Sequence, residues 1–447
     1  MINTKFIFQL GKLGDCWFLA GMASLAIHKD MFAKIVPLDQ SFEKGDYIGA
    51  FRFRFWRYGK WEEVVVDDYL PTKNGRLFLN QSDNSNEFWP ALFEKAYAKI
   101  HGSYGALDGG WVEDSFTDFS GGILESFKLK SIPDNLFEIM FKADQNGAFL
   151  SCSTPGKDEG KTDRHGMVPG HAYSITKVLK LEHKGKQHQL VRVRNPWGNS
   201  KEWTGDWSDD QIKKLPAETK AKHNIVDEDD GEFYMSMNDL LKHCDDVSIC
   251  HLKQGRKGKS NDDGSTHGLY EVKAVHGSWK TGVNAGGCRN HMDTFATNPQ
   301  YKVTIKDADL DDDKMATLLI SLMQKGARTK EGKGIKDAYQ YIGFYVYSIK
   351  ESTKLPLDTD FFRSNRSNCK GSSRLISMRE EVKRFTLEPG TYVIIPCTYE
   401  PNKEAEFYLR IFAENKASIK ADDDNEEEEK DACAVFAYVV FCPSLYV

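Results

Sequence analysis

The first third of the chain combines one apolar helix with alternating strands. Residues 16–28 are almost continuously apolar, which predicts a buried helix. Residues 50–58 alternate apolar and basic side chains and predict a strand, and residues 62–69 predict a second strand. Asn86–Ile100 has the spacing of an amphipathic helix that is capped by its first residue.

Strand patterns dominate the remainder of the chain. His171–Leu181 and Gln189–Arg194 predict two consecutive strands joined by a polar turn. Six further apolar runs, separated by turn residues, predict a β-sandwich: Tyr301–Ile305, Thr317–Met323, Tyr341–Ile349, Lys383–Leu387, Tyr392–Ile395 and Glu406–Ala413. The whole pattern indicates an α+β protein.

Changes in composition divide the chain into five predicted segments. Glycines accumulate between residues 102 and 122, and we place a boundary after Gly110. A polar, glycine-rich stretch at 255–265 marks the second boundary. The predicted segments are residues 1–110, residues 111–255, a linker at 256–266, a β-sandwich at 267–415 and an acidic tail at 416–447.

Charge and cysteine usage exclude several classes of protein. The net charge of -6 is concentrated in residues 422–431, which hold eight acids and one lysine and are typical of a solvated linker. The remainder is close to neutral, without the basic face of a nucleic-acid-binding protein. Nine cysteines, an odd number with no C-x-x-C pair, argue against a disulfide framework or a zinc site and favour the reducing cytoplasm. The apolar run at 432–447 is too short to span a bilayer.

Three widely separated residues suggest a nucleophile, a base and an orienting group. Cys16 opens the predicted helix, where unpaired N–H groups and the positive helix end favour a thiolate. His171 follows 155 residues later, and Asn195 lies another 24 residues on. This order is typical of papain-like proteases, in which the histidine accepts the thiol proton and the asparagine fixes the imidazole tautomer. Trp197 would shield that hydrogen bond from water.

Nine stretches of the sequence resemble calpains, which are calcium-dependent papain-like cysteine proteases: LGDCWFLAGMASLA, VVVDDYLP, NEFWPALFEKAYAKIHGSY, GHAYSITKV, RVRNPWG, EWTGDWSD, DGEFYMS, AGGCRN and EPNKEAEF. The resemblance runs from about residue 11 to residue 420. It implies a two-lobed papain-like core, with Cys16 in lobe 1 (1–110) and His171 and Asn195 in lobe 2 (111–255), followed by a C2-like β-sandwich. In this family calcium draws the lobes together, and the substrates are cytosolic proteins that are cut at a few exposed segments.

The resemblance also implies that calcium is the cofactor. In lobe 2 it places the ligands at four carboxylates, which are the oxygen donors that Ca²⁺ prefers: Glu202, Asp209, Asp230 and Glu232. In lobe 1 Glu87 matches, whereas residues 1–10 do not match the family pattern for its partners. Without the resemblance, residues 227–230 are typical of a charged turn.

The side chain that should stabilise the oxyanion is displaced along the chain. In the family a glutamine six residues before the cysteine supplies this amide, but Leu10 occupies that position and Gln9 is the nearest glutamine. A shift of one residue in an extended segment turns a side chain to the opposite face. We therefore expect a feeble protease, in which Leu10→Gln combined with Gln9→Val raises kcat more than it changes KM.

Two alternatives to an active protease remain open. The altered N-terminal segment suggests a catalytically impaired, calpain-like regulatory protein. The acidic run Asp307–Asp313 suggests a calcium-dependent C2-type adaptor that binds membrane phospholipid.

The resemblance further suggests partners and a location. Protein substrates are the expected partners. A small regulatory subunit is not expected without a penta-EF-hand domain, and the chain is expected to be truncated at both ends relative to the family. The expected location is cytoplasmic, with membrane association on calcium binding.

Overall fold

The computed structural model describes residues 8–9, 13–43, 45, 47–82, 84, 86–156, 162–196, 202–225, 231–252, 270–305, 314–326 and 339–414. These residues form two compact units, of which the first holds those before 58 and from 61 to 252, and the second holds 58–60 and 270–414. The predicted linker at 256–266 and tail at 416–447 lie outside the described residues. The boundary after Gly110 falls within the first unit and stays a prediction.

Four helices surround an aromatic core in the early part of the first unit: α1 (Cys16–Ile27), α2 (Lys29–Ile35), α3 (Trp89–Ile100) and α4 (Val112–Ser120). Nearly every residue of α1 is buried, which explains why its sequence is continuously apolar. Gly21 lets α4 approach α1 closely, since a Cβ at Gly21 would lie 2.1 Å from Ser115 Oγ. The helix that carries the predicted nucleophile is therefore enclosed by protein.

Short strands complete this part of the unit: β1 (Phe8–Gln9), β2 (Ala50–Arg57), β3 (Lys60–Asp67), β4 (Thr72–Lys73), β5 (Arg76–Leu77) and β6 (Gln81–Ser82). They pair as β2 with β3, β4 with β5 and β1 with β6. Alternate residues of β2 point inward, and Phe55 stacks on Phe93 of α3 with ring centroids 5.1 Å apart. The second strand, predicted at 62–69, spans 60–67.

The later part of the first unit is a six-stranded sheet in the order β11-β10-β9-β8-β12-β7. Its strands are β7 (Ile123–Lys128), β8 (Phe149–Ser153), β9 (Ala172–His183), β10 (Lys186–Arg194), β11 (Glu232–Ser236) and β12 (Asp246–His251). Four helices accompany it: α5 (Leu136–Gln145), α6 (Asp209–Ile212), α7 (Ala217–His223) and α8 (Met237–His243). Lys184 and Gly185, both at positive φ, turn β9 into β10. This hairpin extends both predicted strands toward the turn.

The second unit is a sandwich of two four-stranded antiparallel sheets, in the orders β13-β20-β15-β18 and β14-β19-β16-β17. Its strands are β13 (Tyr270–Trp279), β14 (Tyr301–Ile305), β15 (Ala316–Gln324), β16 (Ile342–Ile349), β17 (Cys369–Ser372), β18 (Glu380–Leu387), β19 (Gly390–Thr398) and β20 (Ala405–Glu414). Two short helices, α9 (Met292–Phe295) and α10 (Thr359–Ser364), flank them. Apolar side chains from both sheets form one core. The predicted α+β fold, with helices and sheets in the first unit and a β-sandwich in the second, is confirmed.

The predicted cap of the helix at residue 86 is wrong. The helix α3 begins at Trp89, and Phe88 occupies the N-cap position without a side-chain cap. Pro90 lies in the first turn, where its missing N–H costs nothing, so the start of the helix is set by this proline. Among the described residues, no helix is long and apolar enough to cross a membrane.

Candidate active site

Cys16 is the first residue of α1 and only 8% exposed. The carbonyl of Asp15 accepts the first helical hydrogen bonds, from the N–H groups of Phe18 and Leu19 at 2.9 and 3.1 Å. The thiol therefore lies at the N-terminus of a twelve-residue helix, where the backbone dipoles favour negative charge. The thiolate is the form of a cysteine that acts as a nucleophile, so this position suits the predicted role of Cys16.

A neighbouring loop holds the segment before the nucleophile. Gly109 N–H donates to the Gly14 carbonyl at 2.8 Å, and Gly14 N–H donates to Asp108 Oδ1 at 3.2 Å. The indole of Trp17, just after the cysteine, donates from Nε1 to the Leu107 carbonyl at 3.1 Å. These three bonds fix the chain on both sides of Cys16.

The base and its orienting residue lie at the open end of the β9–β10 hairpin. His171 immediately precedes β9 and Asn195 immediately follows β10, and the pairing of Ser174 with Arg194 brings these ends together. His171 Nε2 and Asn195 Oδ1 are 3.1 Å apart, and the two residues are 1% and 0% exposed. An amide oxygen can only accept, so the network assigns the imidazole proton to Nε2 and leaves Nδ1 as the basic nitrogen.

Burial sets the protonation state of the imidazole. It lowers the pKa of His171 from 6.5 to about 4, and the hydrogen bond with Asn195 partly opposes this shift. At neutral pH the ring is uncharged and can accept a proton. His171 Nδ1 therefore carries the lone pair that a general base uses.

Two hydrogen bonds join the backbone of His171 to Thr154, a residue that the sequence did not predict as part of the site. His171 N–H donates to Thr154 Oγ1 at 3.0 Å, and Thr154 N–H donates back to the His171 carbonyl at 3.0 Å. Thr154 follows β8 directly. Its role depends on the pairing of β8 with β9, and no local motif marks it.

A second contact missed by the sequence connects the two halves of the site. Ser174 Oγ donates to the Ala20 carbonyl at 2.8 Å. Ala20 is about one helical turn from Cys16, and Ser174 is three residues from His171. This bond holds the helix of the nucleophile against the strand that follows the base.

Of the four predicted calcium ligands of lobe 2, two lie at β11, one lies in α6 and one is not described. Glu202 Oε1 accepts from Gly231 N–H at 3.0 Å, so it lies beside the start of β11. Glu232, in β11, is paired with Arg192 at 3.0 Å and Arg194 at 3.3 Å. Asp209 is the first residue of α6. Asp230 lies outside the described residues.

Within the part of the chain that the structure describes, no three His, Cys, Asp or Glu side chains form a metal-binding group. In lobe 1, Glu87 accepts from Ser82 Oγ at 2.6 Å and from Trp89 Nε1 at 3.1 Å. Gln9 pairs with Gln81 through β1 and β6, but its side chain is outside the description, as is Trp197. The oxyanion and shielding roles therefore stay predictions.

Comparison with known proteins agrees with this arrangement. A family model described as "Calpain family cysteine protease" matches residues 2–251, and one described as "Calpain large subunit, domain III" matches residues 275–412. The chain is 42% identical over 434 residues to Calpain-A of Drosophila melanogaster, covering 94% of this chain and 52% of that protein. It is 41% identical over 432 residues to the Calpain-2 catalytic subunit of Bos taurus, covering 94% and 60%.

The chain thus spans about half to three fifths of the length of these curated relatives. Among solved structures, a surface-layer-associated cysteine protease of Clostridium difficile covers 93% of this chain and 73% of its own at 10% identity. Its TM-score of 0.25 is too low to inform the fold. The protease family model alone matches more than half of the sequence, and the chain belongs to the calpain family of cysteine proteases.

Proposed function

We propose that this chain is a calcium-dependent cysteine endopeptidase that makes limited cuts in cytosolic proteins. The buried hydrogen bond between His171 and Asn195 carries the proposal, because it orients the imidazole and leaves Nδ1 as its basic nitrogen, while burial keeps the ring neutral. The Ser174–Ala20 bond adds support, since it holds the helix of Cys16 against the strand of that base.

The proposed reaction proceeds through a thioester. His171 Nδ1 takes the proton of Cys16, and the thiolate attacks the carbonyl carbon of the substrate. The imidazolium, stabilised by Asn195, then protonates the leaving amine as the carbon–nitrogen bond breaks. A water molecule, activated by the same histidine, hydrolyses the thioester and restores the thiol. The Cys16 backbone N–H is the proposed first donor to the oxyanion, with Gln9 as the sequence-based candidate for a second donor.

The calcium dependence rests on the chemistry of the donor set. Glu202, Asp209 and Glu232 offer hard oxygen ligands, with Asp230 added from the sequence. The two arginines on Glu232 already offset its charge, so the type of donor fits calcium while the charge available to it is reduced.

A catalytically impaired regulatory protein is the second candidate, because Leu10 stands where the family pattern places the oxyanion glutamine. A cytoplasmic location, with calcium-dependent binding of phospholipid through the second unit, completes the proposal. Liposome sedimentation of the full chain with calcium and with chelator tests the phospholipid contact.

The deciding experiment compares Cys16→Ser with the control Cys369→Ser, which replaces a half-buried cysteine of the second unit. We expect Cys16→Ser to lower casein cleavage by at least about 10³-fold, because the nucleophile and base act as a unit, and Cys369→Ser to keep the parent rate. Cleavage by Cys16→Ser at the parent rate contradicts the mechanism. Undiminished cleavage in chelator contradicts only the calcium dependence, and an inactive parent with an intact fold favours the regulatory alternative.

A further inference from the structure

Two carboxyl groups lie buried against each other directly behind the nucleophile. Asp15 precedes Cys16, and Glu94 lies in the middle of α3; each residue is 1% exposed. Their side chains are within hydrogen-bonding distance of each other. A carboxylate cannot donate, so this contact requires a proton on one of the two groups.

The hydrogen bonds of Glu94 distinguish its two oxygens. Glu94 Oε2 accepts from Asn80 N–H at 3.0 Å. Glu94 Oε1 receives no donor from any residue that the structure describes, and it is fully shielded from solvent. A buried carboxylate oxygen without a donor is costly, whereas a protonated Oε1 can donate to Asp15.

Among the residues that the structure describes, no positively charged side chain acts on Glu94. The described titratable groups that act on it or face it are Asp15 and Tyr104, and burial together with the Glu94 charge raises the pKa of Tyr104. Asp67, which also acts on Tyr104, is paired with Lys95. Burial and the Asp15 charge raise the pKa of Glu94 well above 4.5. This direction agrees with the hydrogen-bond geometry.

We propose that Glu94 is a positioning residue for the nucleophile, which keeps a proton at neutral pH and donates it to Asp15 in a hydrogen bond. The inference rests on the proposed role of Cys16. The Asp15 carbonyl accepts the first hydrogen bonds of α1, so a fixed Asp15 side chain fixes the start of the helix and the adjacent thiol. A protonated Glu94 also leaves one negative charge behind the thiolate instead of two.

The test uses Glu94→Gln, Glu94→Ala and the control Glu218→Gln, which changes an exposed glutamate of α7. The glutamine can accept from Asn80 with its oxygen and donate to Asp15 with its amide, without a titrating proton. The alanine removes both bonds. All variants are measured in the full chain by urea unfolding over a pH series and by iodoacetamide labelling of Cys16, followed by mass spectrometry.

Two results are expected. As pH rises above 4.5, the unfolding constant of the parent should increase by up to about tenfold per pH unit relative to that of Glu94→Gln. The reason is that the pKa of Glu94 is raised in the folded state, so the fold loses stability as the unfolded chain releases this proton first. Glu218→Gln should follow the parent. Labelling of Cys16 at neutral pH should slow by about tenfold in Glu94→Ala and recover most of this loss in Glu94→Gln.

The same unfolding profile in the parent and in Glu94→Gln overturns the proposal, as does a glutamine variant that labels no faster than the alanine variant. If Glu94→Gln does not fold, the infrared band of a protonated carboxylic acid in the parent at neutral pH decides, and its absence refutes the proposal. Neither unfolding nor labelling requires proteolysis, so a failure here is distinct from a failure of the Cys16→Ser experiment.

Discussion

The replacement Asn195→Ala isolates the hydrogen bond that orients the base. In the parent, the bond between His171 Nε2 and Asn195 Oδ1 is 3.1 Å long and excluded from solvent, so water does not replace it readily. When His171 takes the thiol proton, this bond becomes charge-assisted, and such bonds contribute about 1.5–3 kcal/mol. We expect kcat/KM to fall by roughly 10- to 150-fold.

The loss should appear in kcat rather than in KM, because the bond strengthens only after proton transfer. The same bond raises the pKa of His171, so its removal also makes the imidazole a weaker base. Initial rates of hydrolysis of a fluorogenic peptide, measured over a range of substrate concentrations in calcium, separate the two constants. Labelling of Cys16 by iodoacetamide in the same variant reports the nucleophile without turnover.

Asn298→Ala provides a matched control. Asn298 is a buried asparagine of the second unit whose side chain accepts from Gly286 N–H and donates to the Gly287 carbonyl. Asn298→Ala should lower stability about as much as Asn195→Ala does, while kcat per folded molecule stays at the parent value. An unchanged kcat in folded Asn195→Ala would refute the orienting role, and an equal loss in both variants would attribute the effect to stability alone.

Three further predictions concern acid, the nucleophile loop and calcium. Burial lowers the pKa values of His28 and His171 from 6.5 to about 4, so the unfolded state binds more protons as pH falls through this range. Acidification from pH 6.5 to about pH 4 should therefore remove up to about 3 kcal/mol of stability for each histidine. A free energy of unfolding in urea that stays constant over this pH range would contradict the prediction. Gly110→Ala would place a Cβ 2.2 Å from the Trp17 ring. This clash should lower the free energy of unfolding by about 1–3 kcal/mol and slow labelling of Cys16 by iodoacetamide. Stability and labelling rate equal to those of the parent would show that the loop adapts. Asp209→Asn should raise the calcium concentration needed for half-maximal cleavage, and an unshifted calcium titration would exclude it as a ligand.

The grouping of His171 with Asn195 was predictable because both lie at the ends of one hairpin. Two strand patterns joined by a short polar turn predict antiparallel neighbours, and the residues that flank such a pair must meet. Cys16 was predictable as a helix N-terminus for a similar local reason. The prediction that a helix begins at Asn86 was wrong, because Pro90 in the first turn sets the start of α3 at Trp89.

The contacts that support these residues could not be predicted from the sequence. Thr154 and Ser174 act through pairing and packing of elements that are distant in the chain. Glu94 occupies an amphipathic helix, where a glutamate normally faces water. Its burial depends on how α3 packs beside Asp15, 79 residues earlier. Local patterns identify the groups that react, whereas tertiary packing determines which polar groups hold them.

A candidate calcium ligand lies in β11, the strand that pairs with β10 next to the orienting residue. Glu232 of β11 pairs with Arg194, the residue before Asn195, and Asn195 N–H donates to the Gly231 carbonyl at 2.9 Å. Gly231 N–H in turn donates to Glu202, a second candidate ligand. A cation that competes with the arginine for Glu232, or draws Glu202 toward itself, would therefore act on the backbone that positions Asn195. Because Asn195 fixes the tautomer of His171, binding at Glu202 would reach the base through three hydrogen bonds, namely Gly231 to Glu202, Asn195 to Gly231 and His171 to Asn195.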